Sequence, residues 1–270
     1  MHDVHANGAT IPAIGLGTWQ SPGESCQRAV ESALDAGYRH IDTAQLYGNE
    51  AWVGAALASR AVPRDKLFLT TKVRWDLLRP DQLAASVEGS LLRLGTSIDL
   101  LLIHWPSRDI PVAETLGAMQ RFVTRGDVRH LGVSNFTADQ VREAAIHAKL
   151  VCNQVEYHPY MTQHAVKAAC DALGLALVAY SPLAHGHLLR DPVLEAIGRA
   201  RGKSAAQVAL AWLIGQPGVV AIPKSTNAGR IRENLAVDFD LSETERARID
   251  GLARGLRTCS PPFAPDWDPS

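Results

Sequence analysis

A chain of 270 residues has room for one large α/β domain or two small ones, and 46% hydrophobic with 20% charged residues is an ordinary globular composition. A formal net charge of −1 offers no basic footprint for nucleic acid or for an anionic membrane. Cys26, Cys152, Cys170 and Cys259 are scattered without a C-x-x-C pair, the amino terminus lacks the order of an export signal, and no apolar run could span a bilayer, so a reduced, cytoplasmic protein is expected.

Asn7-Gly8 between two short extended segments predicts an amino-terminal β-hairpin, placed to plug the bottom of the main domain. Beyond it, short apolar runs alternate with amphipathic stretches. Strands are predicted at 14–16, 39–42, 67–71, 100–104, 128–133, 151–155, 176–180 and 219–222. Helices are predicted at 25–36, 49–59, 80–94, 112–125, 137–147, 163–173, 204–215 and 227–234. Asn49 offers an N-cap, Thr137 with Gln140 and Ser204 with Gln207 read as capping boxes, and Gly37, Gly95, Gly126 and Gly174 stand where helices would stop.

Eight strands alternating with eight helices over about 250 residues form the pattern of a single-domain (β/α)8 TIM barrel covering residues 1–270. A doubly wound sheet would bring a dinucleotide turn. Here Gly15-Leu16-Gly17 runs into Thr18-Trp19-Gln20, and the third glycine of G-x-G-x-x-G is missing. After Leu252, a tail carries Pro261, Pro262, Pro265 and Pro269 around Phe263 and Trp267; two aromatics in so short a tail predict that it packs near the barrel mouth.

A barrel places its chemistry at the carboxyl ends of its strands. The polar residues there are Asp42, Lys72, His104, Ser134, Asn135, Gln154, Glu156, Tyr180, Ser181, Lys224 and Ser225, with Tyr47 on the loop beyond Asp42. Taken singly, each reads as a cap, a core ion or a loop aromatic. Four convergent ionisable groups, Asp42, Tyr47, Lys72 and His104, read instead as a proton-donating set. A phenol with an ordinary pKa of about 10 is a poor acid at neutral pH. An ammonium beside it favours the phenolate and lowers that value, and Asp42 would hold Lys72 charged and in place. His104 would orient a substrate oxygen.

Protonating a carbonyl oxygen calls for a hydride donor at its carbon. Ser134, Asn135 and Gln154 could bind a carboxamide, and the Tyr180 ring could take a stacked nicotinamide. Pro223-Lys224-Ser225-Thr226-Asn227 leads into a helix holding Arg230, with Glu233 and Asn234 a turn further on, and reads as a phosphate site. Its two cations suit the 2′-phosphate of NADP better than the ribose hydroxyl of NAD. Gly132-Val133-Ser134-Asn135-Phe136 resembles a nucleophile elbow without its closing glycine. His185-Gly186-His187 has a metal-like spacing without a third ligand beside it, so a mobile loop and no metal are expected there.

Several segments together resemble the aldo-keto reductases, in family order and over nearly the whole chain. They are Gly15-Leu16-Gly17-Thr18-Trp19, Tyr38-Arg39-His40-Ile41-Asp42-Thr43-Ala44, Tyr47-Gly48-Asn49-Glu50, Thr71-Lys72, Leu102-Ile103-His104-Trp105-Pro106, Gly132-Val133-Ser134-Asn135-Phe136, Asn153-Gln154-Val155-Glu156-Tyr157-His158-Pro159, Tyr180-Ser181-Pro182-Leu183 and Ile222-Pro223-Lys224-Ser225. The resemblance implies a monomeric barrel and NADPH-dependent reduction of a small carbonyl compound, with Tyr47 as the acid and Asp42, Lys72 and His104 completing a tetrad. It adds Gly17, Thr18, Asp42, Pro182 and Leu183 to the cofactor set. It also places Trp19 and Trp105, with Tyr47 and His104, around the substrate, and Trp267 of the tail is expected beside them.

Where relatives often have Trp two residues after the lysine, this chain has Arg74, followed by Trp75. Inside the pocket Arg74 would favour anionic substrates such as keto acids; turned to solvent it would contribute nothing. Asn227 stands where many relatives have Thr or Arg near the 2′-phosphate, and the short segment after Pro111 predicts a pocket open on that side. Two other readings stay open at this point, a Schiff-base aldolase using Lys72 and a non-catalytic NADPH-binding sensor.

Overall fold

The computed structural model describes residues 2–268, and Pro269 of the tail lies outside them. Strands β1 (Asp3–Ala6) and β2 (Ala9–Pro12) pair antiparallel, with Asn7 and Gly8 at φ 45° and 93°, the turn geometry that matches the twist of a hairpin. Eight parallel strands come next in sequence order: β3 (Leu16–Gly17), β4 (His40–Asp42), β5 (Phe68–Val73), β6 (Ile98–Ile103), β7 (Val128–Ser134), β8 (Leu150–Glu156), β9 (Ala176–Tyr180) and β10 (Val219–Ala221). Parallel bridges Ile14 to Ala221 and Gly17 to Lys224 join the first strand to the last and close the ring. Gly15 N donates to Ala221 O at 2.9 Å and Gly17 N to Pro223 O at 3.0 Å across that seam. A Cβ on Gly17 would stand 2.9 Å from the Ile222 carbonyl, so the seam needs glycine there.

Every residue of β5, β6 and β8 is buried, as expected of strands with a packed interior on one face and helices on the other. The hairpin covers the bottom. The Asn7 side-chain amide donates to the carbonyls of Leu150 and Leu173, at 2.9 and 3.1 Å, where β8 begins and the following helix ends.

The outer layer comprises α1 (Gly23–Ala36), α2 (Glu50–Ala58), α3 (Pro80–Leu94), α4 (Val112–Arg125), α5 (Ala138–His147), α6 (His164–Leu173), α7 (Pro192–Arg201), α8 (Ala205–Ile214), α9 (Ala228–Leu235) and α10 (Glu243–Asp250). The capping boxes at Thr137 and Ser204 form, and Gly37, Gly95, Gly126 and Gly174 end their helices in the left-handed region. Two helices, α7 and α10, lie outside the predicted eight. Asp191 caps α7 by accepting from Val193 N and Leu194 N, with Pro192 at its first position. Ser242 and Glu245 form the capping box of α10. Neither helix is flanked by a strand of its own, so strict alternation conceals both. Among the described residues, no helix is long and apolar enough to cross a membrane.

Asn49 precedes α2 but its side chain does not cap it. The amide donates to Thr18 O and Ser21 O, at 2.9 and 3.1 Å, and accepts from Thr43 Oγ1 at 2.7 Å. It braces the loops after β3 and β4 against each other, the two loops that carry Trp19 and Tyr47. Beside it, the buried Glu50 carboxylate collects Thr71 Oγ1 at 2.6 Å and Arg93 Nη2 at 2.7 Å, tying α2 to β5 and α3. The tail packs on the mouth as expected. Arg254 N and Leu256 N both donate to Tyr160 O, and Ala138 N, at the start of α5, donates to Asp268 Oδ2 at 2.8 Å.

Candidate active site

Asp42 ends β4, Lys72 lies near the end of β5, and His104 directly follows β6. Both Asp42 oxygens are engaged: Oδ1 accepts from Lys72 Nζ at 2.5 Å and Oδ2 from Gln154 Nε2 at 2.7 Å. The Lys72 ammonium also donates to Thr43 O at 3.0 Å and to the Tyr47 hydroxyl at 3.5 Å. The Tyr47 and His104 rings meet edge-on, with centroids 5.8 Å apart. The four groups singled out in the sequence therefore converge at the barrel mouth.

The loop that presents Tyr47 is itself fixed. Gln45–Tyr47 forms a 3-10 turn, ended by Gly48 at φ 64°. The Gln45 amide donates to Ser90 Oγ at 3.0 Å, and its oxygen accepts from Arg74 N at 3.1 Å.

The charges follow from burial. Burial pushes the Tyr47 phenol upward; Lys72 pulls against it, and the net direction is above the ordinary value. The expected net lowering by Lys72 is thus not reached: Lys72 moderates a rise that desolvation causes. Burial disfavours the Lys72 ammonium, but Asp42 and Tyr47 outweigh it and hold the lysine charged. Burial, with the Lys72 charge, drives His104 well below the usual imidazole range, so it is neutral at neutral pH. A charged lysine, a protonated phenol and a neutral imidazole share one cup.

That cup opens into a cavity of about 430 Å³. Trp19, Leu46, Tyr47, His104, Trp105 and Phe263 line it, and from the strand ends so do Gly17, Thr18, Asp42, Ser134, Asn135, Gln154, Tyr180, Ser181 and Pro182. Ser134 Oγ donates to Gln154 O at 2.8 Å, Asn135 Nδ2 to His104 O at 2.9 Å, and the Tyr180 hydroxyl to Asn135 Oδ1 at 2.8 Å. Asn135 and Ser181 are held at positive φ, 64° and 46°, the kind of backbone strain that gathers at functional sites.

Trp19, Ser181, Pro182, His185 and Lys224 also border a second hollow of about 560 Å³, which holds Leu183, Ser225, Arg230, Glu233 and Asn234. The two form one trough, amide-rich at the tetrad and basic at the start of α9. This order of groups fits a nicotinamide dinucleotide, with its carboxamide end at the tetrad and its far, adenosine end at Lys224 and Arg230. Two predicted members of the cofactor set stand outside. Thr226 is exposed and lines neither hollow. The Asn227 side chain is engaged as the N-cap of α9, accepting from Arg230 N at 3.0 Å.

Two predicted substrate residues also stand outside the cavity. Arg74 forms a two-pronged ion pair with Asp76, at 3.0 and 2.7 Å, because the turn after β5 brings these neighbours side by side. Trp267 packs behind the wall, edge-on to Trp105 at 5.9 Å and under the Arg257 guanidinium at 3.9 Å. Phe263 takes the inner place instead, stacked on Trp75 at 4.1 Å and edge-on to Trp105 at 5.5 Å. The tail also meets the loop before Pro111, where Arg108 Nη2 donates to Ala264 O at 2.9 Å.

Sequence reasoning missed the tail residues Thr258, Cys259, Ser260 and Pro261, which line the cavity, and it missed His185. His185 lies within the 3-10 segment Ala184–Arg190, its ring near Ser181 Oγ at 3.1 Å and edge-on to Trp19 at 5.3 Å. It borders both hollows, in a 3-10 segment where a mobile loop was expected.

Comparison with known proteins agrees with this geometry. Residues 13–254 match the aldo/keto reductase family. A solved structure provisionally named 2,5-diketo-D-gluconic acid reductase B is 45% identical, with a TM-score of 0.97, over 100% of this chain and 98% of that chain. An aldo-keto reductase of Mycolicibacterium smegmatis is 41% identical over 256 residues, 93% of each chain. The morphine 6-dehydrogenase of Pseudomonas putida is 40% identical over 269 residues, 93% of this chain and 90% of that relative. The chain belongs to the aldo/keto reductase family and is an oxidoreductase of a kind that generally works with NADH or NADPH.

Proposed function

We propose that the chain reduces aldehydes and ketones with NADPH, Tyr47 giving the proton. The observation that carries this reading is the alignment at the cavity floor, where Asp42 fixes Lys72, Lys72 points at the Tyr47 hydroxyl, and a neutral His104 stands beside it. Bound NADPH supplies the hydride to the carbonyl carbon. His104 donates a hydrogen bond to the carbonyl oxygen and sets it against Tyr47 Oη. Tyr47 releases its proton to that oxygen, and the adjacent ammonium offsets the negative charge left on the phenolate. Trp19, Trp105 and Phe263 exclude water and supply apolar contact.

For the substrate, the short loops and the ending Ala264-Pro265-Asp266-Trp267-Asp268 resemble those of bacterial 2,5-diketo-D-gluconate reductase B, a class that also reduces methylglyoxal. The neighbour of that name supports this choice of class. Among the described residues lining the cavity, Lys224 alone is cationic, and it stands on the cofactor side; Arg74 is held outside by Asp76. Neutral dicarbonyls such as methylglyoxal and aromatic aldehydes should therefore be reduced with higher kcat/KM than substrates that carry a carboxylate, simple keto acids and 2,5-diketo-D-gluconate alike. NADPH oxidation against methylglyoxal, 2,5-diketo-D-gluconate, aromatic aldehydes and keto acids measures this, and no consumption with any of them would overturn the proposal. An aldolase reading leaves the basic trough without a task, because a Schiff base on Lys72 needs no dinucleotide.

The choice of NADPH rests on Lys224 and Arg230, both exposed at the basic end. Exposed ion pairs contribute up to about 1 kcal/mol each, so the Lys224→Ala/Arg230→Ala double variant should weaken NADPH binding about tenfold. NADH binding should barely change, since it lacks the 2′-phosphate. Equal losses for both, read by fluorescence titration, would place the phosphate elsewhere.

A further inference from the structure

Glu156 belongs neither to the tetrad nor to the trough, yet it is fully buried at the end of β8. Its carboxylate gathers four donors. Oε1 accepts from Thr258 N at 2.7 Å, Thr258 Oγ1 at 2.5 Å and His158 Nε2 at 3.0 Å, and Oε2 accepts from Cys259 N at 2.9 Å. Burial alone would push this acid upward; the four donors outweigh it and hold it below its ordinary value, as a carboxylate. Three of the four come from the tail, at the point where the chain turns inward to line the cavity. Beyond Cys259 the tail supplies Ser260, Pro261 and Phe263 to the cavity wall.

From 251 to 268 the tail contains no helix or strand that could hold its own shape. Its place is fixed from outside, at Tyr160 O, at Glu156, at Arg108 and at the start of α5. Of these, Glu156 holds Thr258 and Cys259, which themselves line the cavity. Glu156 also stands two residues from Gln154, hence on the same face of β8, so one strand fixes both Asp42 and the tail.

We propose that Glu156 is a positioning residue for substrate selection: its carboxylate holds the tail so that Phe263 and Pro261 close the cavity over large, apolar carbonyl compounds. The cavity takes its meaning from the proposed carbonyl reduction, whereas the anchoring itself does not depend on it. In Glu156→Gln one oxygen becomes an NH2 facing a backbone N–H, and the tail loses its hold there. Small substrates reach Tyr47 and His104 without touching Phe263; aromatic aldehydes lean on it.

The test compares purified wild type, Glu156→Gln and Phe263→Ala, with methylglyoxal and an aromatic aldehyde as paired substrates. Glu156→Gln is expected to raise KM for the aromatic aldehyde about tenfold, the scale of one spoiled buried hydrogen-bond group, with kcat/KM for methylglyoxal unchanged. Phe263→Ala should raise KM for the aromatic aldehyde by at least as much, and the double variant should lose no more of the aromatic aldehyde than Phe263→Ala alone. Equal losses for both substrates, or a folded Glu156→Gln with wild-type KM for the aromatic aldehyde, would overturn the proposal. Thr258→Val, which removes one donor with little change of shape, should move the aromatic KM in the same direction and decides the matter if Glu156→Gln does not fold. Limited trypsin digestion supplies a readout free of activity: Arg257 should be cleaved rapidly in the Glu156 or Thr258 variant and slowly in wild type. Identical digestion would contradict the anchor, whereas a wild type that reduces neither substrate would contradict only the proposed function.

Discussion

Tyr47→Phe is expected to lower carbonyl reduction by at least about a hundredfold, the ordinary scale for losing a general acid, while NADPH still binds. The substitution removes one oxygen. The ring keeps its edge contact with His104 and its place on the anchored turn, so the cup keeps its shape. What goes is the hydroxyl to which the Lys72 ammonium donates. Burial holds the phenol above its usual value, so Tyr47 remains protonated through the neutral range and alkaline loss of the acid is postponed. A phenol held so high is a weak acid, and this is why the charged Lys72 next to it is required. Steady-state kinetics with NADPH and an aldehyde, together with cofactor titration, measure both halves of the expectation. Near wild-type turnover would remove Tyr47 from the mechanism.

Lys72→Met should reduce activity as severely, and stability falls with it. Lys72 and Asp42 are an ion pair with side chains 1% and 2% exposed, so neither charge has water to fall back on. Removing the lysine leaves the carboxylate with Gln154 as its main partner. Breaking a buried pair on one side costs about 3–5 kcal/mol. For a chain of this size that lowers Tm by roughly 6–20 °C. Adding Asp42→Asn removes the stranded charge and should restore much of the stability but none of the activity. Thermal unfolding and kinetics of the two singles and the double form the cycle. A Lys72→Met variant as stable as wild type would show that the pair does not balance a buried charge.

Much of this architecture was legible because each strand announces its end. Leu100-Leu101-Leu102-Ile103 stops at His104, and the run 67–71 stops at Lys72; an ionisable residue after a run that must be buried marks the mouth of a barrel. Side-chain direction was not legible in the same way. Arg74 is drawn to Asp76, two residues on, and no periodicity of the chain distinguishes that from pointing inward. Asn49 carried a capping signal, but its amide is taken by Thr18 O and Ser21 O, carbonyls that only the folded barrel brings near. The tail was hardest. Trp267 and Phe263 both promised contact with the mouth, yet which of them faces the cavity depends on Glu156 and Tyr160, roughly a hundred residues away, where local propensity carries no information. Helices α7 and α10 each had a cap in plain sight, Asp191-Pro192 and Ser242 with Glu245, and were missed because strand–helix alternation was read too strictly.

The central claim is that this cavity moves a hydride from NADPH to a carbonyl carbon while Tyr47 protonates the oxygen. Its most direct test is NADPH deuterated at the transferring carbon, incubated with methylglyoxal or an aromatic aldehyde and the wild-type enzyme, followed by mass spectrometry of the product. The account predicts an alcohol carrying one deuterium on its carbinol carbon, formed at least about a hundredfold more slowly by Tyr47→Phe. Bound NADPH with no labelled alcohol, or a carbonyl adduct on Lys72 trapped by borohydride in the absence of NADPH, would contradict it.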